Sequence, residues 1–341
     1  MRTSRFVLRA LAFLPGHLFM RAPRFIPAVP VLRALVPLTV LSCLLFVGTS
    51  CSRFADEETA TKGRLTVCAS ESHLELIQAE AEQFTSLYQE AKVTVFGATT
   101  REAIMHLLND SVSVVVLDRT LNAEEEQVVK KAKLKLERIE VALDAVAVVV
   151  NSLNDVRGIS KETLKDILTR KVTDWSQISG SGLSGPVELA LTGRNSGTYE
   201  LIKDHFFGLS EDIQASVVLP SQKEVLEYVA KHPQAIGLVS LASFRSPSVQ
   251  FLSADSTSAV VRALSFAGQD STGKAALFKL HQAHIHLGKY PLSYSVYIYV
   301  RKESDLAAGF VGFIAGPVGQ KIILNWGLVP VTMPVRIVTL T

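Results

Sequence analysis

From residue 63 onward the chain alternates short apolar runs with amphipathic segments, and this alternation restricts the fold more than any other feature. Residues 65–68 are apolar, and residues 74–88 carry apolar side chains at helical spacing with glutamates between them. The same pair of patterns returns at residues 93–108 and at 112–133. Strands that alternate with helices predict an α/β fold with a mainly parallel sheet. In such sheets ligands bind where strands end at the carboxyl edge, so those loops are the first candidates for a site.

A second block of the same kind begins at residues 144–150, an almost wholly apolar run that predicts a buried strand. Helix and strand patterns alternate from there to residue 240, with helices predicted at 160–169, 198–207 and 222–231, which predicts a second α/β lobe. The remaining chain is predicted to form strands at 260–266 and 294–300 and helices at 274–287, 307–314 and 318–326.

The composition is that of a folded protein without the charge of a nucleic-acid binder. Hydrophobic residues make up 48% of the 341 residues and charged residues 20%, which is too apolar for a disordered chain and enough for two cores. The formal charge of +3 depends on the first 50 residues, which hold six arginines and no Asp, Glu or Lys. Without these six, 29 basic residues stand against 32 acidic ones, a net charge of −3. We therefore expect no nucleic-acid partner.

The first 50 residues are predicted to be a signal peptide. The uncharged apolar run at residues 34–50 follows Arg33 and is shorter than the roughly 20 residues that span a bilayer core. A methionine followed by arginines occurs at Met1 and again at Met20, and the sequence leaves open which of the two starts the chain. Residues 51–62 are largely polar and are predicted to be a tether.

Small residues precede Cys51, in the order Val-Gly-Thr-Ser at 47–50, and this resembles the lipobox of bacterial lipoproteins. The resemblance implies that Cys51 is lipidated and becomes the first residue after cleavage. The match is imperfect, because Gly48 stands where an aliphatic residue is usual. The alternatives are an ordinary cleaved signal and an uncleaved membrane anchor. The other cysteines, Cys43 in the signal run and Cys68 in an apolar strand, give no disulfide framework and no zinc motif.

Four segments in the second half of the chain carry a resemblance to a known family. They read DILTRKVTDW at 166–175, RNSGT at 194–198, YPLS at 290–293, and GPVGQ at 316–320 followed by GLVP at 327–330. The chain from residue 63 to 341 resembles the phosphate-binding proteins of bacterial ABC importers. These are substrate-binding components with a type II periplasmic-binding-protein fold.

The resemblance implies two lobes joined by two crossing hinge strands, at residues 145–150 and 294–300. Lobe one is expected to contain residues 63–143 plus 257–341, and lobe two residues 144–256. Closure about the hinge is the motion expected to trap a ligand between the lobes. The ligand would then pass to a permease and an ATPase, and the sequence contains no Walker-type phosphate loop of its own.

Three strand-to-helix turns carry the small hydroxyl residues that a buried oxyanion needs as donors, beside helix N-termini whose backbone N–H groups also face an anion. The alternative is that these residues only cap their helices. The predicted phosphate-binding residues of the three turns are Ser70, Glu71 and Ser72, then Thr99 and Thr100, and then Ser196, Gly197 and Thr198.

Two arginines complete the predicted site. Arg119 stands where the family often has Ser-Arg, and it is expected to pair with phosphate. The alternative is an ion pair with Asp118 or Glu124. Arg194 stands two residues before Ser196, whereas the family commonly places an arginine four residues before that serine. Either the loop is remodelled around the ligand, or Arg194 points to solvent.

Two acids depart from the family pattern, because Glu71 replaces Ser or Thr and Asp118 replaces the serine of Ser-Arg. A carboxylate repels phosphate unless it accepts the proton of the oxyanion, which sulfate lacks. Glu71 is favoured as this acceptor, on the expectation that the dipole of the following helix keeps it ionised and that Arg119 pairs with Asp118.

The sequence therefore predicts a lipid-anchored, periplasmic, monomeric phosphate-binding protein of an ABC importer, with no cofactor, no metal and no enzymatic activity. The alternative is an envelope lipoprotein that keeps the fold and serves as an interaction module, or that binds another oxyanion. Histidines at 281, 284 and 286 cluster at a helix end without nearby acidic or cysteine partners in sequence, and we interpret them as a solvated face.

Overall fold

The computed structural model describes residues 57–208, 210–253, 260–270, 272–301 and 304–332. The predicted signal peptide and Cys51 lie outside these residues. The strands are β1 (Gly63–Ser70), β2 (Ala91–Ala98), β3 (Val114–Leu117), β4 (Leu136–Asn151), β5 (Gly158–Ile159), β6 (Glu188–Thr192), β7 (Val217–Leu219), β8 (Ala235–Ser240), β9 (Val261–Ala263), β10 (Ser265–Gln269), β11 (Ala275–Phe278), β12 (Ser293–Arg301) and β13 (Val329–Pro330). The helices are α1 (Leu74–Leu87), α2 (Thr100–Leu108), α3 (Ala123–Lys131), α4 (Lys161–Leu168), α5 (Gly197–Phe206), α6 (Gln222–Lys231), α7 (Leu241–Phe244), α8 (Gln250–Ser253), α9 (Gln282–His286), α10 (Asp305–Ala315) and α11 (Pro317–Asn325).

Side-chain caps fix where several helices begin. In each case a Ser, Thr or Asn directly before the helix accepts a hydrogen bond from a backbone N–H of the first turn, which satisfies a donor that the helix itself leaves free. The capping residues are Thr99, Asn122, Ser160, Ser196 and Ser221. The turns predicted from the sequence therefore lie at helix N-termini.

One ten-stranded sheet runs through the molecule in the order β2-β1-β3-β12-β4-β8-β6-β7, and β9 and β13 also pair with β4. The pairs β1–β2, β1–β3, β6–β7 and β6–β8 are parallel. Strand β12 lies antiparallel between β3 and β4. The α/β fold with parallel strand neighbours is thus confirmed, with antiparallel pairing at the centre of the sheet.

Strand β4 connects two hydrophobic cores. Its first part pairs with β12, and residues 146–150 pair with β8. The core of lobe one contains side chains of α1, α2, α10, β1, β3 and β12, and the core of lobe two contains those of α4, α5, α6, β6 and β8. The chain returns to lobe one at residues 290–293, where the N–H of Val146 donates to the carbonyl of Leu292. The two lobes therefore share two crossing segments.

Residues 260–292 lie in a different lobe from the one predicted, and part of this segment has a different secondary structure. Strand β9 pairs with residues 149–151 of β4, and β10 pairs with β5, so this segment packs in the core of lobe two. The predicted division assigned all of 257–341 to lobe one. The helix predicted at 274–287 is wrong, because β11 forms a hairpin with β10 and only α9 is helical.

Helices α10 and α11 are the most apolar helical region of the described chain. No single helix there is long and apolar enough to cross a membrane, and α10 with α11 passes that test only as a pair bent by 56°. Side chains of both helices pack in the core of lobe one, among them Phe310, Ile314 and Ile323. We therefore interpret the pair as core helices.

Candidate functional site

Several of the side chains predicted to bind an anion surround the carboxylate of Asp118. This residue follows β3 directly and is 1% exposed. Its Oδ1 accepts a hydrogen bond from Ser70 at 2.5 Å, and its Oδ2 accepts hydrogen bonds from Ser72 at 3.2 Å and Thr100 at 3.1 Å. The donors come from the turns after β1 and β2, since parallel strands end at the same edge of a sheet.

A buried histidine adds positive charge to this cluster. His73 Nδ1 lies 2.8 Å from Asp118 Oδ1, and its Nε2 lies 2.9 Å from Asp144 Oδ2, which also accepts the Tyr294 hydroxyl at 2.9 Å. Burial lowers the pKa of His73, but the two carboxylates outweigh this and raise that pKa from 6.5 to about 9. His73 is therefore an imidazolium at neutral pH. Burial alone would raise the pKa of Asp118, and His73 with the hydroxyl donors lowers it instead.

Lobe two contributes the N-terminus of α5 to the same point. A Cβ built on Gly197 would collide with Asp118 Oδ2, so the glycine lets the helix approach the carboxylate. Gln222 joins the lobes, because its Nε2 donates to Ser72 Oγ and to Thr198 Oγ1, both at 2.8 Å. A helix N-terminus stabilises an anion through its free N–H groups and its dipole. The two lobes are thus closed around a carboxylate.

Glu71 lies beside this cluster and lines two cavities of about 400 and 390 Å³, each bounded by both lobes. Its Oε1 is buried and has no hydrogen-bond partner among the described residues. Burial first, and the charge of Asp118 second, raise the pKa of Glu71 from 4.5 to about 7. Ser70, Thr100 and Thr198 line neither cavity. The place where the hydroxyls of Ser70 and Thr100 meet, which we call the convergence point, is occupied by the carboxylate of Asp118.

Arg119 is engaged in ion pairs away from the cluster. Its Nη1 lies 2.8 Å from Glu125 in lobe one, and its Nε lies 2.7 Å from Glu200 in lobe two. Arg119 therefore forms ion pairs, as the alternative interpretation of the sequence expected. Its partners are Glu125 and Glu200 instead of Asp118 or Glu124. Arg119 links the two lobes and makes no contact with the convergence point.

Arg194 and two of the predicted hydroxyl residues also have other partners. The Arg194 side chain is 75% exposed, borders the second cavity and pairs with Asp212 at 2.5 Å. Thr99 forms a capping box with Glu102 at the start of α2, and it borders both cavities. Ser196 caps α5. Thr99 and Ser196 thus cap their helices, as the alternative interpretation of the sequence expected. The other predicted residues of the turns lie at the convergence point or contact residues there: Ser70, Ser72, Thr100, Gly197 and Thr198.

The sequence interpretation missed three residues of the cluster. Asp144 is an acid at the start of an otherwise apolar run, and an isolated carboxylate in a buried strand signals a partner. His73 directly follows the predicted Ser-Glu-Ser turn. Gln222 is the first residue of the helix predicted at 222–231. The sequence could have singled out these positions, but not the contacts among them.

Comparison with known proteins decides the family. Residues 55–318 match a family model described as a PBP superfamily domain. The chain belongs to the PBP superfamily. This confirms the type II periplasmic-binding-protein fold that the sequence motifs implied, with its two lobes and crossing segments.

Other members of the PBP superfamily align over most of the chain. Protein SphX of Synechococcus elongatus is 25% identical over 296 residues, covering 84% of this chain and 81% of SphX. The phosphate-binding protein PstS of Bacillus subtilis is 23% identical over 310 residues, covering 87% of this chain and 94% of PstS. PstS is named for binding and not for catalysis, in agreement with the prediction that this chain is not an enzyme.

Solved structures show the same fold. A substrate-binding protein with bound phosphate from Clostridium perfringens superposes with a TM-score of 0.66 at 19% identity, covering 79% of this chain and 100% of that protein. An ABC-type phosphate transport receptor from Vibrio cholerae superposes with a TM-score of 0.58 at 21% identity, with coverage of 79% and 100%.

Proposed function

We propose that this protein captures inorganic phosphate between its two lobes and delivers it to the permease and ATPase of an ABC importer. One observation supports this most: hydroxyls from two turns of lobe one and the N-terminus of α5 of lobe two converge on one buried, negatively charged group. An oxyanion needs such donors to replace its hydration. The names of the PstS relatives point to phosphate as the oxyanion.

Isothermal titration calorimetry tests this proposal on protein that has been unfolded and refolded to remove bound phosphate. We expect phosphate to bind with measurable heat and sulfate to bind more weakly. If neither phosphate nor any related oxyanion gives heat, the phosphate proposal is wrong.

One observation favours the alternative function, an interaction module or a binder of another oxyanion. Both predicted arginines pair with carboxylates, and the cation in contact with the convergence point is His73. A doubly charged anion would therefore meet less positive charge than the sequence motifs implied. Calorimetry without heat, combined with capture of a stable envelope partner, would support this alternative.

We further propose that the protein is a periplasmic monomer anchored by a lipid on Cys51. Cys51→Ala is expected to move the protein from the membrane fraction to the soluble periplasm, because an acyl anchor binds membranes through its buried methylene groups. Fractionation and immunoblotting measure this, and Cys68→Ala, which removes a buried thiol, is the matched control. A variant that stays on the membrane at unchanged size would instead indicate an uncleaved anchor.

A further inference from the structure

His73 contacts a carboxylate with each nitrogen of its imidazole ring. The side chain is fully buried, Nδ1 lies 2.8 Å from Asp118 Oδ1, and Nε2 lies 2.9 Å from Asp144 Oδ2. A neutral imidazole carries a proton on one nitrogen and donates to one acceptor, whereas an imidazolium donates from both nitrogens. Two carboxylates at hydrogen-bond distance from the two nitrogens therefore hold His73 as a cation.

Asp144 fixes the orientation of this ring. Its Oδ1 accepts the N–H of Ala145 at 2.6 Å, and its Oδ2 accepts the hydroxyl of Tyr294 in β12 at 2.9 Å, besides the His73 ring. The Tyr294 ring also meets the imidazole edge to face, with 6.3 Å between the ring centres. Since the far side of the imidazole is held in this way, Nδ1 points at Asp118.

The other charged groups near this turn add no positive charge to the ring or to the convergence point. Glu71 and Glu75 flank His73 in sequence. Helices α5 and α7 pack against the turn, and the acid in the first turn of α5, Glu200, pairs with Arg119, while α7 contains no charged residue. Arg194 pairs with Asp212. Both arginines that were predicted to bind phosphate are thus engaged elsewhere.

The charge of His73 decides what an incoming anion meets. Asp118 and Asp144 are both buried, and little water screens their charges. A neutral side chain at position 73 would leave these two carboxylates facing an oxyanion that brings further negative charge. The imidazolium between them offsets one of the two charges and keeps Asp118 in place.

We propose that His73 is the positioning residue that supplies positive charge to the anion site: it holds Asp118 through one ring nitrogen and is itself held by Asp144 through the other. It thereby does the electrostatic work that the sequence motifs assigned to arginine. The inference rests on the proposed function for the ligand, whereas the charge of His73 belongs to the phosphate-free protein.

The test combines three variants. His73→Asn keeps a donor close to the position of Nδ1 and removes the charge, Asp144→Asn removes one of the acids that hold the ring, and the double variant removes one charge of each sign. His286→Asn, at an exposed histidine of α9, is the matched control. Calorimetry measures phosphate affinity between pH 7 and 9. Nitrogen-15 NMR of phosphate-free wild type at pH 7.5 shows how many protons the His73 ring carries.

We expect two ring protons on His73, and His73→Asn to weaken phosphate binding by at least about tenfold at pH 7.5. The double variant should bind at least about threefold more tightly than His73→Asn, because it has one carboxylate fewer beside the anion. A role in packing alone would not give this recovery. The His286→Asn control should match wild type.

Asp144→Asn leaves His73 in place and tests the charge through the pH profile. One carboxylate holds the second ring proton less strongly than two, so His73 loses that proton at a lower pH than in wild type. Affinity depends on the protonated ring and is lost as the pH rises through its pKa. Between pH 7.5 and 9, phosphate affinity should therefore fall at least about threefold further in Asp144→Asn than in wild type.

Any of four results would overturn the proposal. They are a single ring proton on His73 in wild type, wild-type affinity in His73→Asn, a double variant that binds no more tightly than His73→Asn, and parallel pH profiles for Asp144→Asn and wild type. In each case phosphate binding by wild type would leave the proposed function standing. If wild type gives no heat with phosphate or sulfate although the ring is charged, the proposed function is wrong, and the role of His73 at an anion site falls with it.

Discussion

The two acids of the cleft differ in how many donors they contact. Asp118 accepts hydrogen bonds on both oxygens, whereas Oε1 of Glu71 is buried without a partner in the described structure. Glu71 is therefore the acid that is free to accept the proton of a phosphate ion. The expectation that a helix dipole keeps Glu71 ionised is wrong, because burial dominates and the helical turn after Ser70 has only three residues.

Glu71→Gln is expected to lower the ratio of phosphate to sulfate affinity by at least about tenfold at pH 8. The amide keeps the shape, removes the charge that repels sulfate and replaces a charged acceptor by a neutral one. Since the pKa of Glu71 is about 7, wild type at pH 6 carries mostly neutral Glu71, and the effect should shrink there. Competition titrations at both pH values measure this, and an unchanged ratio at pH 8 would contradict it.

Gly197→Ala is expected to weaken phosphate binding by at least about tenfold, and Gly197→Val by more. A single Cβ collides with Asp118 and Thr100, so α5 can no longer approach an anion held by lobe one. The free energy of unfolding should change by less than about 1 kcal/mol for alanine, which favours a helix more than glycine does.

Gly312→Ala is the matched control, since its Cβ would meet open space within helix α10. Calorimetry and chemical denaturation on both alanine variants separate binding from stability. Equal phosphate affinity in Gly197→Ala and wild type would remove the N-terminus of α5 from the site.

For single residues, the sequence predicted the hydrogen-bond donors of the site better than the ion-pair partners of its charged side chains. Ser70, Thr100 and Gly197 could be found because a turn between a strand and a helix is encoded within a few residues. The partner of Arg119 could not, because Glu200 lies 81 positions further along the chain and meets it only when the lobes are closed. Ion pairs depend on the tertiary structure, whereas caps depend on neighbours in sequence.

Helix α1 contains an acid whose buried surroundings disfavour a negative charge. Glu80 is fully buried, and neither of its carboxylate oxygens has a partner within the described part of the chain. Burial raises its pKa from 4.5 to about 9. The folded protein therefore keeps this proton over a pH range in which the unfolded chain has lost it, so stability falls as pH rises from about 4.5 to 9.

Glu80→Gln is expected to raise the free energy of unfolding by about 1 to 3 kcal/mol at pH 8 and by much less at pH 5. Glu82→Gln, on the exposed face of the same helix, is the control and should change little. Denaturation at the two pH values measures the difference. A gain that is equal at pH 5 and pH 8 would show that Glu80 is not neutral in the folded protein.

The elements themselves were largely predictable, with one informative failure. Helices α1, α2 and α6 follow their apolar spacing, and the structure confirms them within a residue or two. The segment at 274–287 failed because Asp270 and Gly273 close a tight hairpin, in which Asp270 accepts the N–H groups of Thr272 and Lys274. A turn motif outweighed a short helical pattern.

On the scale of the whole molecule, ion pairs at the rim add to the closure around Asp118. Arg119 of lobe one contacts Glu200 of lobe two and is 14% exposed, and Arg101 contacts the same acid but is 58% exposed. An exposed pair contributes little, because water screens it, while a partly buried one contributes more. Arg119 is therefore the stronger link between the lobes.

Arg119→Met is expected to weaken phosphate affinity by about 3- to 10-fold, mainly through faster dissociation. The ion pair joins the two lobes in the closed arrangement that the structure shows, so its loss destabilises that arrangement relative to an open one. Opening, which must precede release of the anion, becomes faster.

Stopped-flow mixing measures association and dissociation through the fluorescence of Trp326, which lines the larger cavity. Arg101→Met, which removes the exposed partner of the same Glu200, should change the rate by less than about twofold. An Arg119→Met protein with the dissociation rate and the affinity of wild type would contradict the argument, because it would mean that the ion pair with Glu200 does not stabilise the closed arrangement.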